Sequence, residues 1–142
     1  MSSCEGQEAI AAGAPHVMVV DDEEVIRQTM EVLLGYAGIG VVTASGSDEC
    51  LALLRGGFRG VILMDVMMPG RNGWDTIREI KQAGLLRGNI ISMLTAMDVP
   101  DLQMEGLQDV VIDYITKPFE PQELLASVRR YLEFFEQLQS AE

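Results

Sequence analysis

Gly60-Val-Ile-Leu-Met-Asp65-Val-Met-Met-Pro69-Gly-Arg-Asn-Gly73 decides how the rest of the chain is read. Val61, Ile62, Leu63 and Met64 form a short unbroken apolar run, the pattern of a central strand covered on both faces. Asp65 ends that run, and turn residues follow at once. Pro69 cannot continue a ladder, while Gly70 and Gly73 let the chain bend back into a helix. In open α/β sheets, ligands bind outside the carboxyl ends of the strands. Asp65 is badly placed for core packing and well placed for chemistry. Taken alone, the stretch fits equally well an Asp that caps the turn or the next helix.

The flanking segments repeat the pattern. His16 to Val20 reads as a short buried strand that runs into Asp21-Asp22-Glu23-Glu24. Ile26, Met30, Leu33, Leu34 and Ala37 then recur at helical spacing until Gly38 and Gly40 end the helix. Val41 to Ala44 is a second strand, and Ser47 is the expected N-cap of a helix through Leu54, closed by Gly56-Gly57. After the central strand, Asn72 and Asp75 have the spacing of a capping box, and Trp74, Ile77 and Ile80 supply an apolar face. Asn89 to Thr95 is a fourth strand, followed by a short helix over 100–107 with Pro100 in its first turn. Val110 to Ile115 is a fifth strand. Pro121 opens a final helix in which Leu124, Val128, Leu132, Phe135 and Leu138 or Gln139 share a face. Strand and helix alternate five times. The expected fold is α/β: a (βα)5 doubly wound, parallel five-stranded sheet of flavodoxin-like type, over residues 15–139, preceded by a loose tail at 1–14.

Composition narrows the function. A chain of 142 residues is one domain with room for a core, and a mean hydropathy of +0.16 fits a soluble protein. No apolar run approaches the ~18 residues of a membrane span, and the N-terminus lacks the positive segment of a secretory signal. The formal charge is −12, which argues against nucleic acid or anionic lipid as a direct partner. Cys4 and Cys50 show no metal spacing; Cys50 reads as a buried structural thiol, and the pattern suits a reducing cytoplasm. The methionines read as core packing, with Met67 and Met97 flanking the strand ends as the exceptions.

In a parallel sheet all the C-terminal strand ends lie on one edge. That edge collects Asp21-Asp22, Asp65, Thr95 and, just beyond the fifth strand, Lys117, which is one of only two lysines. Three aspartates against one lysine leave uncompensated negative charge, which opposes ionisation unless a cation joins them. Hard oxygen donors without His or Cys point to Mg²⁺, which is held by one or two carboxylates, waters and phosphate oxygens. The set suits phosphoryl transfer, in which a Lys stabilises the phosphoryl oxygens and a carboxylate can act as nucleophile.

Val19-Val20-Asp21-Asp22-Glu23, Met64-Asp65-Val66-Met67-Met68-Pro69 with Gly73, Leu94-Thr95-Ala96 and Tyr114-Ile115-Thr116-Lys117-Pro118-Phe119 together resemble the receiver domain of response regulators in two-component signalling, over about residues 15–138. The resemblance implies that Asp65 accepts a phosphoryl group from a sensor histidine kinase or a phosphotransfer protein. It implies Mg²⁺ bound by Asp22 and Asp65, by Asp21 through water, and by the backbone carbonyl of Met67. Thr95 would hydrogen-bond the phosphoryl oxygens, Lys117 would pair with one, and Tyr114 would swing inward as the switch. Lys117-Pro118 would be a cis peptide. An unidentified downstream protein is the implied target, and a phosphorylation-dependent dimer is compatible with the family.

One stretch departs from the family. Asp109-Val110-Val111-Ile112-Asp113 replaces the usual small Gly-Ala pair before the fifth strand, at the border of the expected output face. No DNA-binding or catalytic domain lies within the 142 residues, so the chain reads as a stand-alone receiver if it is the whole protein and as the receiver part of a larger regulator if it is not. His16 is not expected to carry phosphate, because a phosphorylated His needs an exposed position on a helix. Two rival readings use the same residues. One is a phosphate-independent pseudo-receiver that only binds a partner. The other is a phosphatase of haloacid dehalogenase type, which instead needs Asp-x-Asp after its first strand.

Overall fold

The computed structural model describes residues 15–96 and 110–140. Its framework is a five-stranded, all-parallel sheet in the order β2-β1-β3-β4-β5. The strands are β1 (Val17–Val20), β2 (Val41–Ala44), β3 (Gly60–Asp65), β4 (Asn89–Thr95) and β5 (Val111–Thr116). Every residue of β1 and β3 is buried, as their unbroken apolar sequences require of strands covered on both faces. The α-helices are α1 (Glu24–Tyr36), α2 (Ser47–Arg55), α3 (Gly73–Gln82) and α4 (Pro121–Ser140).

The pleat sends alternate side chains into two cores. Met18, Val20, Ile62, Met64, Ile91 and Met93 face α2 and α3, where they meet Leu51, Leu54, Trp74, Ile77 and Ile80. Val17, Val19, Val61, Leu63, Ile90 and Leu94 face α1 and α4, where they meet Met30, Leu34, Leu124, Val128 and Phe135. Thus the doubly wound architecture expected from the sequence is observed. Among the described residues no helix is long and apolar enough to cross a membrane.

Several boundaries and contacts differ from expectation. His16 precedes β1 rather than belonging to it, although its carbonyl still accepts from the N–H of Val61 at 2.8 Å. β5 starts and ends one residue later than its apolar run suggested, because Val110 turns and Thr116 joins the ladder. Ser47 does not cap α2. It is the first helical residue, Gly46 precedes it without a side-chain cap, and the Ser47 hydroxyl instead hydrogen-bonds that of Thr76 on α3. Leu138 is 44% exposed, so the buried face of α4 ends at Phe135. By contrast, Asn72 and Asp75 do form the capping box of α3. The expected helix at 100–107, the tail at 1–14 and Met97 lie outside the described residues.

Candidate functional site at the carboxyl edge of the sheet

The strand order reverses between β1 and β3. β2 lies on one side of β1, while β4 and β5 continue from the far side of β3. Helices leave in opposite directions at such a point, which opens a crevice at the strand ends. Asp21 directly follows β1 and Asp65 is the last residue of β3, so both carboxylates enter that crevice.

Asp21 is wholly buried, and each of its oxygens is engaged. Its Oδ1 accepts from the N–H of Glu23 at 2.9 Å, and its Oδ2 accepts from Nζ of Lys117 at 3.0 Å. Arg27, one turn into α1, donates to the Asp21 carbonyl at 2.8 Å and so fixes the backbone as well. Nζ of Lys117 also donates to Oδ1 of Asp65 at 3.2 Å. That oxygen receives the N–H of Met67 at 3.2 Å too. Asp22 stands exposed beside them, and one carboxylate oxygen from each of Asp21, Asp22 and Asp65 falls within a 4.8 Å cluster. A single ammonium thus bridges two buried carboxylates while a third remains open to solvent.

The electrostatics follow from burial and charge. Burial, followed by the charge of Asp21, pushes the Asp65 carboxyl up to about 6, against the opposing pull of Lys117 and the Met67 N–H. Burial works against the Lys117 ammonium, yet the hydrogen bond to Asp21 and the charges of Asp65 and Asp21 raise it overall. The crevice therefore carries an excess of negative charge on compact, hard oxygens. That donor set fits Mg²⁺, with Asp22 free to ligate it from the solvent side.

Thr95, buried at the end of β4, belongs to the same edge, and its carbonyl accepts from the N–H of Lys117 at 2.7 Å. The Lys117-Pro118 bond is cis. Met67 is 71% exposed at the mouth of the crevice. Tyr114 is half-buried in register with Met93 and packs against the core on the α2–α3 side; burial raises its hydroxyl. The loop after β3 is tied down by Arg71, which pairs with Asp48 and Glu79. Arg27 and Arg71 were not singled out in the sequence. The only signal for Arg27 was a lone cation one turn beyond an acidic pair.

Comparison with known proteins agrees with this arrangement. A family model described as the response regulator receiver domain matches residues 17–129. The structure of a CheY-like receiver domain protein from Methanospirillum hungatei JF-1 is 43% identical with a TM-score of 0.82, covering 87% of this chain and 98% of that one. Chemotaxis protein CheY4 of Vibrio cholerae is 33% identical with a TM-score of 0.73, covering 83% of this chain and 98% of that one. The phosphate regulon transcriptional regulatory protein PhoB of Pseudomonas aeruginosa is 36% identical over 82% of this chain and 51% of its own length. The probable transcriptional regulator ycf27 of Guillardia theta is 40% identical over 82% of this chain and 44% of its own. The chain thus spans about half the length of these curated relatives. Because they are named as transcriptional regulators, the exclusion of nucleic acid drawn from net charge finds no support among them.

Proposed function

The chain belongs to the response regulator receiver family of two-component signal transduction, and from that premise we propose that Asp65 is its phosphoacceptor. One observation carries the reading: Lys117 bridges Asp21 and Asp65 within a cluster of three carboxylates at the carboxyl edge of the sheet. The phosphoryl donor is the phosphohistidine of a sensor kinase or a phosphotransfer protein. An oxygen of Asp65 attacks phosphorus in line, the N–P bond breaks, and the imidazole leaves and takes up a proton.

Lys117 then releases its hydrogen bond to the Asp65 carboxylate and pairs with a phosphoryl oxygen. It keeps Asp21 as its second anchor, which holds the ammonium in place throughout. Thr95 lies beside Lys117 through their backbone hydrogen bond and offers its hydroxyl to a second phosphoryl oxygen. Mg²⁺, when bound by Asp22, Asp65 and the Met67 carbonyl, with Asp21 through water, supplies neutralising charge for the phosphoryl oxygens. Inward movement of Tyr114, following Thr95, converts the modification into a changed surface for a downstream protein. Attack of water on phosphorus later releases inorganic phosphate and restores the Asp65 carboxylate. The role is that of a switch that assists its own loading and reset.

Incubation with acetyl phosphate and Mg²⁺, followed by intact-protein mass measurement, tests this reading. A single added phosphoryl group is expected, labile at alkaline pH and absent from Asp65→Asn. If no adduct forms and beryllofluoride with Mg²⁺ does not perturb the fold, the chain is a phosphate-independent binding module.

A further inference from the structure

Ser92 is the one fully buried hydroxyl residue on the described part of β4. It faces the α1–α4 core between Ile90 and Leu94, where every other contribution from β4 is aliphatic. A hydroxyl in such a core is costly unless it is hydrogen-bonded. Ser92 Oγ lies 3.2 Å from the carbonyl of Asp113 and 3.1 Å from the hydroxyl of Tyr131, so its proton has an acceptor on either side. The Tyr131 hydroxyl in turn donates to Oδ2 of Asp113 at 2.6 Å, the length of a charge-assisted bond. Arg130 approaches the same carboxylate oxygen at 3.9 Å. Three residues from β4, β5 and α4 thus close one ring of polar contacts.

Its position in the sheet gives the ring a consequence. β4 and β5 pair as Ser92 with Asp113, Met93 with Tyr114, Leu94 with Ile115 and Thr95 with Thr116, but the next pair back is Ile91 with Val111. Ile112 is therefore left without a partner on β4 and is 40% exposed, which makes a bulge directly before Asp113. The bulge interrupts the ladder locally, and the ring clamps the first pair after the interruption. The clamped block, Ser92–Thr95 against Asp113–Thr116, presents Thr95 and Tyr114, and it leads directly into Lys117.

We propose that Ser92, Tyr131 and Asp113 form a positioning network that fixes the register of this block and carries its movement on phosphorylation into α4. This rests on the receiver function proposed above and adds its route of output. The β4–β5 block and α4 move as one body while the ring is intact, because Tyr131 is joined to both strands at once. Tyr131 would otherwise be an apolar contact like Leu124 and Val128, which pack on the same helix without any bond to the strands. Burial, followed by its bond to Asp113, pushes the Tyr131 hydroxyl up to about 12, so the proton that closes the ring stays on Tyr131 at neutral pH.

Amide NMR spectra of the full chain, with Mg²⁺ and with or without beryllofluoride, test the proposal. In the wild type, beryllofluoride is expected to shift the amides of Thr95 and Lys117 and also those of residues 129–133 on α4. In Tyr131→Phe, which removes one oxygen from the ring, the shifts at Thr95 and Lys117 should persist while those at 129–133 fall at least about twofold. Ser92→Ala should do the same by a different deletion. Asp113→Asn keeps an acceptor for the Tyr131 hydroxyl and should retain the response of α4. Shifts at 129–133 that are equal in wild type and both deletion variants would overturn the network. A wild type that responds at Thr95 and Lys117 but not on α4 overturns it as well. Silence at Thr95 and Lys117 in the wild type would instead sink the phosphorylation reading, and this proposal with it.

Discussion

Asp65 carries two burdens at once, burial and a neighbouring like charge, and both leave a measurable trace in stability. Its carboxyl is raised to about 6 in the folded chain from an ordinary value of 3.8. A raised acid binds its proton more tightly when folded, so its stabilising contribution is complete below about pH 4 and is lost as pH rises through about 6. At neutral pH the ionised Asp65 thus weakens the metal-free fold, by on the order of 2 kcal/mol. Urea unfolding of wild type and Asp65→Asn without divalent cations should diverge between pH 4.5 and 7.5, with the Asn variant becoming the more stable of the two. A constant difference across that range would refute the raised pKa. Mg²⁺ should erase the divergence, since a bound cation favours the carboxylate that the bare crevice disfavours.

At the scale of elements, the junction of β3 with α3 is the tightest point of the site. A Cβ on Gly73 would lie 2.3 Å from the carbonyl oxygen of Asp65 and 3.0 Å from the tip of Met93. The first turn of α3 therefore touches the backbone of Asp65, and only glycine permits that approach. Gly73→Ala should cost about 1–3 kcal/mol by overpacking. It should also slow acetyl phosphate labelling by about tenfold, because relief of the clash moves Asp65 or the Met67 loop. Gly35→Ala in α1 is the control: a Cβ there meets nothing, so the change should raise stability by roughly 0.5–1 kcal/mol and leave labelling unchanged. Equal labelling rates for the two variants would show that the Gly73 contact does not position the site.

The same junction shows what could be read from sequence. The apolar run before Asp65 and the Asn72–Asp75 capping box are local patterns, and local patterns are legible in one chain. The edge set of Asp21, Asp22, Asp65, Thr95 and Lys117 was legible as well, because parallel topology alone places all strand ends together. Contacts between elements were not. Ser47 looked like a cap because a cap is the nearest use of a hydroxyl, yet its partner Thr76 lies 29 residues away. The Ser92–Tyr131 contact spans 39 residues and depends on a bulge that no periodicity announces.

The whole molecule carries a formal charge of −12, and three of its carboxylates converge at one edge. Two kinds of cation effect follow, and they can be separated. Self-repulsion across the surface destabilises the compact state and is relieved by any salt, with a Debye length of about 10 Å at 0.1 M. Sodium chloride should therefore raise the melting temperature gradually and without saturation at a defined site. A divalent cation in the crevice acts by mass action, contributing about 1.4 kcal/mol when present at ten times its dissociation constant. For a domain of this size that is a rise of roughly 4–5 °C, saturating with Mg²⁺ concentration at constant ionic strength. Asp22 discriminates the two effects because it is exposed, so Asp22→Asn leaves the cores untouched while removing the one carboxylate of the cluster that is open to solvent. In that variant the sodium chloride response should remain and the saturating Mg²⁺ response should disappear. If Mg²⁺ stabilises wild type and Asp22→Asn equally, the acidic cluster is only a part of the surface charge, and the metal-assisted chemistry assigned to Asp65 loses its support.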